Sequence, residues 1–139
     1  MAIQLSTTGI NTMLESFLKA ADNDSGYEIK LFSNDVDLTA TTSISQFQEV
    51  SGGGYTQRYV TGGSWDIANG VATLKSPQEW EFNTDPGDAG MSITVYGYYL
   101  VGTGSLQQLV IAAEKFDNGP YTITVDGDKI TVDITLSLA

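Results

Sequence analysis

The sequence predicts a mainly β protein: an antiparallel β-sandwich, jelly-roll-like, with one N-terminal amphipathic helix, in a single domain over residues 1–139. Three observations carry this. Beyond Gly26, apolar and polar residues alternate in short runs, which is the period of a strand. Turn-forming residues punctuate those runs about every 8–12 residues, as in sandwiches and barrels. No strand–helix–strand alternation is present, so a parallel sheet built from crossover units is excluded.

The one clear helical stripe runs from Thr8 to Ala21, with apolar residues at Ile10, Met13, Leu14, Phe17, Leu18 and Ala21. That is the spacing of a single helix face. Ser6, Thr7 and Thr8 offer N-cap oxygens, and Asp22-Asn23-Asp24-Ser25-Gly26 stops the helix with turn formers. The stripe predicts packing on a sheet of its own domain; the alternative is an arm that docks on a neighbouring subunit.

Strands are expected at Tyr27–Ser33, more weakly at Ile44–Val50, and at Tyr55–Thr61 between the glycine clusters Gly52-Gly53-Gly54 and Gly62-Gly63. Trp65–Ile67 and Val71–Leu74 face each other across Asn69-Gly70, the strongest two-residue hairpin signal in the chain. Glu79–Phe82 is a short strand, and Asp85-Pro86-Gly87-Asp88 is a turn. Met91–Val101 is long and apolar on both faces. Leu106–Phe116 reads as a strand because of Val110-Ile111. The tail alternates cleanly, Ile130, Val132, Ile134, Leu136 and Leu138 against Thr131, Asp133, Thr135 and Ser137. An antiparallel strand with water on one side is not apolar on both, and an apolar terminal strand without flanking charge invites pairing. Together these predict burial against other copies of the chain, with cover by the N-terminal helix as the plainer alternative.

Composition excludes more chemistry than it suggests. The chain has 17 acidic and 6 basic residues, a net charge of −11, which opposes nucleic acid and anionic membranes. Cysteine and histidine are both absent. That removes disulfides, thiol and Ser-His nucleophiles, ordinary transition-metal sites and imidazole proton transfer. No segment approaches a membrane span of about 20 apolar residues. Met1-Ala2-Ile3-Gln4-Leu5-Ser6 lacks the basic start and apolar run of a secretory signal, so synthesis in a cytoplasm is expected. No cofactor is predicted.

The remaining candidates each have a structural counterpart. The pairs Asp22/Asp24, Asp35/Asp37, Asp85/Asp88 and Asp126/Asp128 suit a hard cation, but each sits beside Gly, Asn or Pro, where Asp serves turns. Glu79 and Glu81, on one strand face beside Trp80, are the only pair to set against carboxylate-based glycoside hydrolysis, with Glu114 a further single acid. Gly52-Gly53-Gly54 is followed by no Gly-Lys-Ser/Thr and reads as a turn; Ser51 and Ser64 have no histidine partner. The best binding candidates are aromatic: Tyr55 and Tyr59 on one strand face, Tyr96 and Tyr98 on another, with Trp65 and Trp80 near turns. Such residues fill cores, anchor subunit contacts or stack sugar rings. Arg58, the only arginine, is expected to pair with an acid or stack. The candidates for an interface are Tyr55, Tyr59, Tyr96, Tyr98, Leu100, Leu136 and Leu138.

The order of these features resembles small structural proteins of tailed-bacteriophage virions. The resemblance runs from the Ser6-Thr7-Thr8-Gly9-Ile10-Asn11-Thr12-Met13-Leu14 opening through Tyr27-Glu28-Ile29-Lys30-Leu31-Phe32-Ser33-Asn34 and Ser51-Gly52-Gly53-Gly54-Tyr55. It continues through Gly62-Gly63-Ser64-Trp65, Trp80-Glu81-Phe82, Ile93-Thr94-Val95-Tyr96-Gly97-Tyr98-Tyr99 and Gly127-Asp128-Lys129-Ile130-Thr131-Val132. It implies a non-enzymatic virion component without catalytic residues. A head decoration (cement) protein, jelly-roll-like and trimeric, bound to the major capsid protein lattice, comes first, and a tail or baseplate component second. A carbohydrate-binding receptor-recognition module is the competing reading from the aromatics.

Overall fold

The computed structural model of the chain describes residues 6–19, 26–83, 91–103 and 109–137. Strands far outnumber helical residues among those described, so the protein is mainly β, with antiparallel sheets and one N-terminal helix. Helix α1 spans Thr7–Leu14 and continues into one π-helical turn, Glu15–Lys19. Ser6 caps it, its Oγ accepting from the Gly9 amide at 3.0 Å. Among the described residues eleven strands follow: β1 Tyr27–Phe32, β2 Arg58–Val60, β3 Trp65–Ala68, β4 Val71–Leu74, β5 Gln78–Glu81 and β6 Ile93–Val95. Then come β7 Gly97–Gly102, β8 Val110–Lys115, β9 Tyr121–Ile123, β10 Lys129–Val132 and β11 Thr135–Ser137.

The central sheet has the order β2-β1-β7-β8, and the other strands form the smaller sheets β11-β4-β3, β10-β5 and β6-β9. The β3–β4 hairpin turns on Asn69 and Gly70, both with positive φ (54° and 77°), the conformation an Asn-Gly hairpin turn requires. Helix α1 lies on this hairpin. Leu14 and Leu18 are buried, and Asn11 Oδ1 accepts from the Gly70 amide at 2.7 Å. Met13 and Phe17 remain 49% and 41% exposed, so the buried stripe is Ile10, Leu14 and Leu18, narrower than the sequence pattern implies. Ala21 lies outside the described residues.

Three strand assignments are corrected. Residues 44–50 are not a strand: Ile44–Gln46 form a 3-10 turn, and only Glu49 makes a bridge, to Phe32. Backbone pairing with β1 and the residue after it is limited to Ser33 N on Gln48 O at 2.8 Å and Val50 N on Leu31 O at 2.9 Å, and side chains satisfy much of the remaining backbone. Gln46 Oε1 accepts from Ser43 N at 2.7 Å, and Asn34 bonds Gln46 O and Gln48 N, both at 2.8 Å. The run Met91–Val101 is two strands, broken at Tyr96, with β6 pairing β9 and β7 pairing β1 and β8. The break precedes Gly97, where a Cβ would collide with Glu114 O and lie 2.8 Å from Lys115 Cα. Only glycine allows that approach. The tail likewise divides at Asp133-Ile134, β10 pairing β5 and β11 pairing β4 at a sheet edge.

The core is in two parts on opposite faces of the central sheet. Tyr27, Ile29, Leu31, Tyr98 and Leu100 face a large cluster that includes Trp65, Trp80, Phe82 and Ile134. Phe32, Tyr99 and Val101 face the other way, onto Val36 and Phe47, with Leu38 and Ile44 at the margin. Strand β7 is therefore buried on both faces by its own chain. Neither other copies nor the helix is needed to cover its second face; residues 33–50 do so. Sequence pattern revealed the two-sided burial but not its cover, because that segment carries only the weak strand signal of residues 44–50.

Candidate functional site

The tyrosines singled out from sequence fall into different environments. Leu100 is fully buried and Tyr98 is 7% exposed, both packed within the chain. Tyr98 donates to Glu114 Oε2 at 2.6 Å, and burial, then that carboxylate's hydrogen bond and charge, push its phenol above the usual range. Tyr55 is half-buried. Its hydroxyl accepts from the Leu31 amide at 3.0 Å and donates to Glu49 Oε2 at 2.9 Å. It completes the β1 edge beyond the last residue paired with β2, and burial raises its pKa strongly. Tyr27 and Tyr99 are also raised, first by burial. Tyr59 is open to solvent at 51% exposure, against Gly26. Tyr96 and Leu136 are half-buried, and Leu138 lies outside the described residues.

The tryptophans are core residues. Trp80 Nε1 donates to Thr56 O at 2.8 Å, and the Arg58 guanidinium lies 5.6 Å from the Trp80 ring centroid. Arg58 Nη2 also donates to Glu79 O at 2.7 Å, so the expected stacking is present and ties β2 to β5. Trp65 is fully buried, and its Nε1 has no acceptor among the described residues.

The acidic candidates are not gathered into a catalytic cleft. Glu79 and Glu81 lie half-exposed on the outer face of β5, flanking Lys129 Nζ at 3.3 and 3.9 Å, while Trp80 points inward. Glu114 is committed to Tyr98. Asp35 pairs with Lys115 at 2.6 Å, and Asp128 holds the turn through Val125 N at 3.4 Å. Asp22/Asp24 and Asp85/Asp88 fall outside the described residues. Among the described residues no three His, Cys, Asp or Glu side chains group as metal ligands. Gly52, Gly53 and Gly54 all have positive φ, and the Tyr55 amide closes the turn on Gly52 O at 3.1 Å.

One concavity among the described residues went unmarked by sequence reasoning. It is a cleft of about 410 Å³ between β9 and β10, walled by Phe116, Tyr121, Ile123 and Ile130, with Thr122 and Thr131 at its sides. A recess of about 270 Å³ adjoins it at Phe116, Tyr121 and Thr131 and is bounded by Glu114, Asp117 and Asp133. The signal was present: Phe116-Asp117-Asn118-Gly119-Pro120-Tyr121, an aromatic at each end of a polar turn, followed by an alternating Thr-Ile-Thr-Val run. Comparison with protein-family models, curated proteins and solved structures finds no match to the chain.

Proposed function

We propose that this is a non-enzymatic structural protein of a tailed-phage virion, a capsid decoration protein that self-associates as a homotrimer and binds the major capsid protein lattice. It is made in the host cytoplasm, resides in the virion, and engages neither nucleic acid nor membrane. The observation that carries the reading is the order of sequence features along nearly the whole chain, which resembles that of such proteins. The physical chemistry is compatible. The acids a hydrolase would use are tied into surface ion pairs and a tyrosine hydrogen bond. Among the described residues, β8 and β11 stand at sheet edges and pair on one side only. The finer architecture belongs to this proposal as well: the central sheet and the smaller sheets on its main core face act as the layers of a β-sandwich with jelly-roll-like connections. Many copies on a lattice need only weak individual contacts.

Light scattering on the purified chain, at low and high ionic strength, tests the self-association. Co-sedimentation with capsids stripped of the protein tests the partner. A trimer that co-sediments in stoichiometric amount supports the reading. A monomer that stays in the supernatant overturns it. Binding to isolated tails but not heads transfers the protein to the tail or baseplate.

A further inference from the structure

We propose that the cleft between β9 and β10 binds an arginine side chain presented on an extended, basic segment of a partner protein. The proposal stands on the cleft alone and does not depend on the virion reading.

The cleft exists because a hairpin is left open. Strands β9 and β10 are joined by the short turn 124–128 but do not pair with each other; β9 pairs outward with β6 and β10 with β5. In an antiparallel strand, successive backbone N–H and C=O groups point to alternate sides. The inner edges of β9 and β10 therefore offer donors and acceptors to whatever lies between them, which suits an extended backbone. The aromatic wall supplies ring faces. Phe116 and Tyr121 have centroids 5.4 Å apart with planes tilted at 46°, and Tyr121 is 41% exposed.

Charge selects the occupant. The cleft and recess are lined by Glu114, Asp117, Asp128 and Asp133 against Lys115 and Lys129. Both ammonium groups are drawn to carboxylates that do not line the cleft: Lys115 to Asp35 at 2.6 Å and Lys129 to Glu79 at 3.3 Å. Asp117 and Asp133 have no hydrogen bond or ion pair among the described residues. Carboxylates beside an accessible ring are the complement of a guanidinium, which accepts bidentate pairing at its edge and a π-face above its plane. A neutral saccharide could stack on the rings and donate its hydroxyls to the carboxylates, but it would leave their negative charge uncompensated. An anionic ligand would meet a chain of net charge −11.

The test is an amide NMR titration of the folded protein with the peptide acetyl-Gly-Arg-Gly-Arg-Gly-amide, its citrulline counterpart, and maltohexaose. Shifts are expected at 116–118, 121–123 and 129–131 with the arginine peptide. Its affinity should exceed that of the citrulline peptide by about tenfold, the loss expected when charge-assisted contacts become neutral ones. Asp117→Asn with Asp133→Asn should weaken binding by about tenfold. Asp37→Asn with Asp66→Asn removes the same charge from exposed positions away from the cleft and should change it by less than about twofold, since distant charges are screened. All four positions are exposed, and each variant's own spectrum reports its fold. Equal weakening in both double variants would mean diffuse attraction and overturn the proposal. So would the absence of shifts, shifts centred elsewhere, or saturation by maltohexaose in place of the peptide.

Discussion

Phe47→Ala decides whether residues 33–50 form a structural wall. Phe47 is 9% exposed, stacks on Tyr99 with centroids 4.3 Å apart and planes 5° from parallel, and meets Phe32 edge-on at 5.0 Å. Truncating a buried phenylalanine costs about 3–5 kcal/mol through lost transfer energy and an unfilled cavity. Phe47 belongs to the smaller cluster near the surface, where neighbours can partly close the gap, so about 3 kcal/mol is expected. At about 3–4 °C per kcal/mol for a chain of this size, the melting temperature should fall by roughly 10 °C. Phe47→Leu retains apolar volume but loses the ring pairs, worth about 0.5–1.5 kcal/mol each.

The assay is urea unfolding followed by tryptophan fluorescence, with Leu100→Ala as a control for the larger cluster. Trp65 and Trp80 both belong to that larger cluster, on the other face of the central sheet. The two clusters share β7, so loss of Phe47 should lower the midpoint seen by tryptophans that do not touch it. A cost under about 1 kcal/mol, typical of a surface substitution, would refute the reasoning. The Tyr99 and Val101 face would then need a cover from outside the chain, and burial by other copies would regain its force.

Three further outcomes follow from the geometry. Tyr27, Tyr55, Tyr98 and Tyr99 are all raised above the ordinary 10.0, so the unfolded chain loses those phenolic protons first. Their contribution is therefore complete below about pH 10 and is lost as pH rises toward the folded values; absorbance at 295 nm should show them ionising together with loss of the near-ultraviolet circular dichroism. Gly97→Ala drives a methyl into the β8 backbone and should cost about 3 kcal/mol or more, read as a lower urea midpoint or insoluble protein. Asn11→Ala leaves the Gly70 amide without its helix acceptor and should cost about 1 kcal/mol while the solution mass stays unchanged.

What the sequence made legible was local. Asn69-Gly70 specifies a hairpin because both residues adopt positive φ cheaply, and the turn formed between the expected strands. The helix start was legible because Ser6 caps from within three residues. Alternation gave the tail its inward set of Ile130, Val132 and Ile134, all buried, although the chain changes sheets at Asp133-Ile134. Period alone cannot report that change, since a strand keeps its alternation whichever neighbour it pairs with. Residues 33–50 were illegible for the opposite reason. Their backbone meets β1 only at Gln48 and Val50 and is otherwise held by local turns and the Asn34 and Gln46 side chains, so little period marks a segment that nonetheless buries Val36 and Phe47.

The same distinction explains why the aromatic candidates were hard to rank. An aromatic on a strand reads alike whether it fills a core, replaces a backbone partner or waits for a ligand. Tyr98 and Tyr55 each point a hydroxyl at a specific carboxylate of the same chain, 16 and 6 residues away in sequence. These are facts of the fold that no spacing rule contains. Tyr121 was overlooked because a three-residue strand is too short to establish a period. Yet it is Tyr121 whose ring stands partly open beside two carboxylates that, among the described residues, have no partner, on a strand whose inner edge pairs with no other described strand. Recognition in this molecule is best sought where the fold leaves polar and aromatic groups without internal partners, and the opening between β9 and β10 meets that condition on its walls, its edges and its charge.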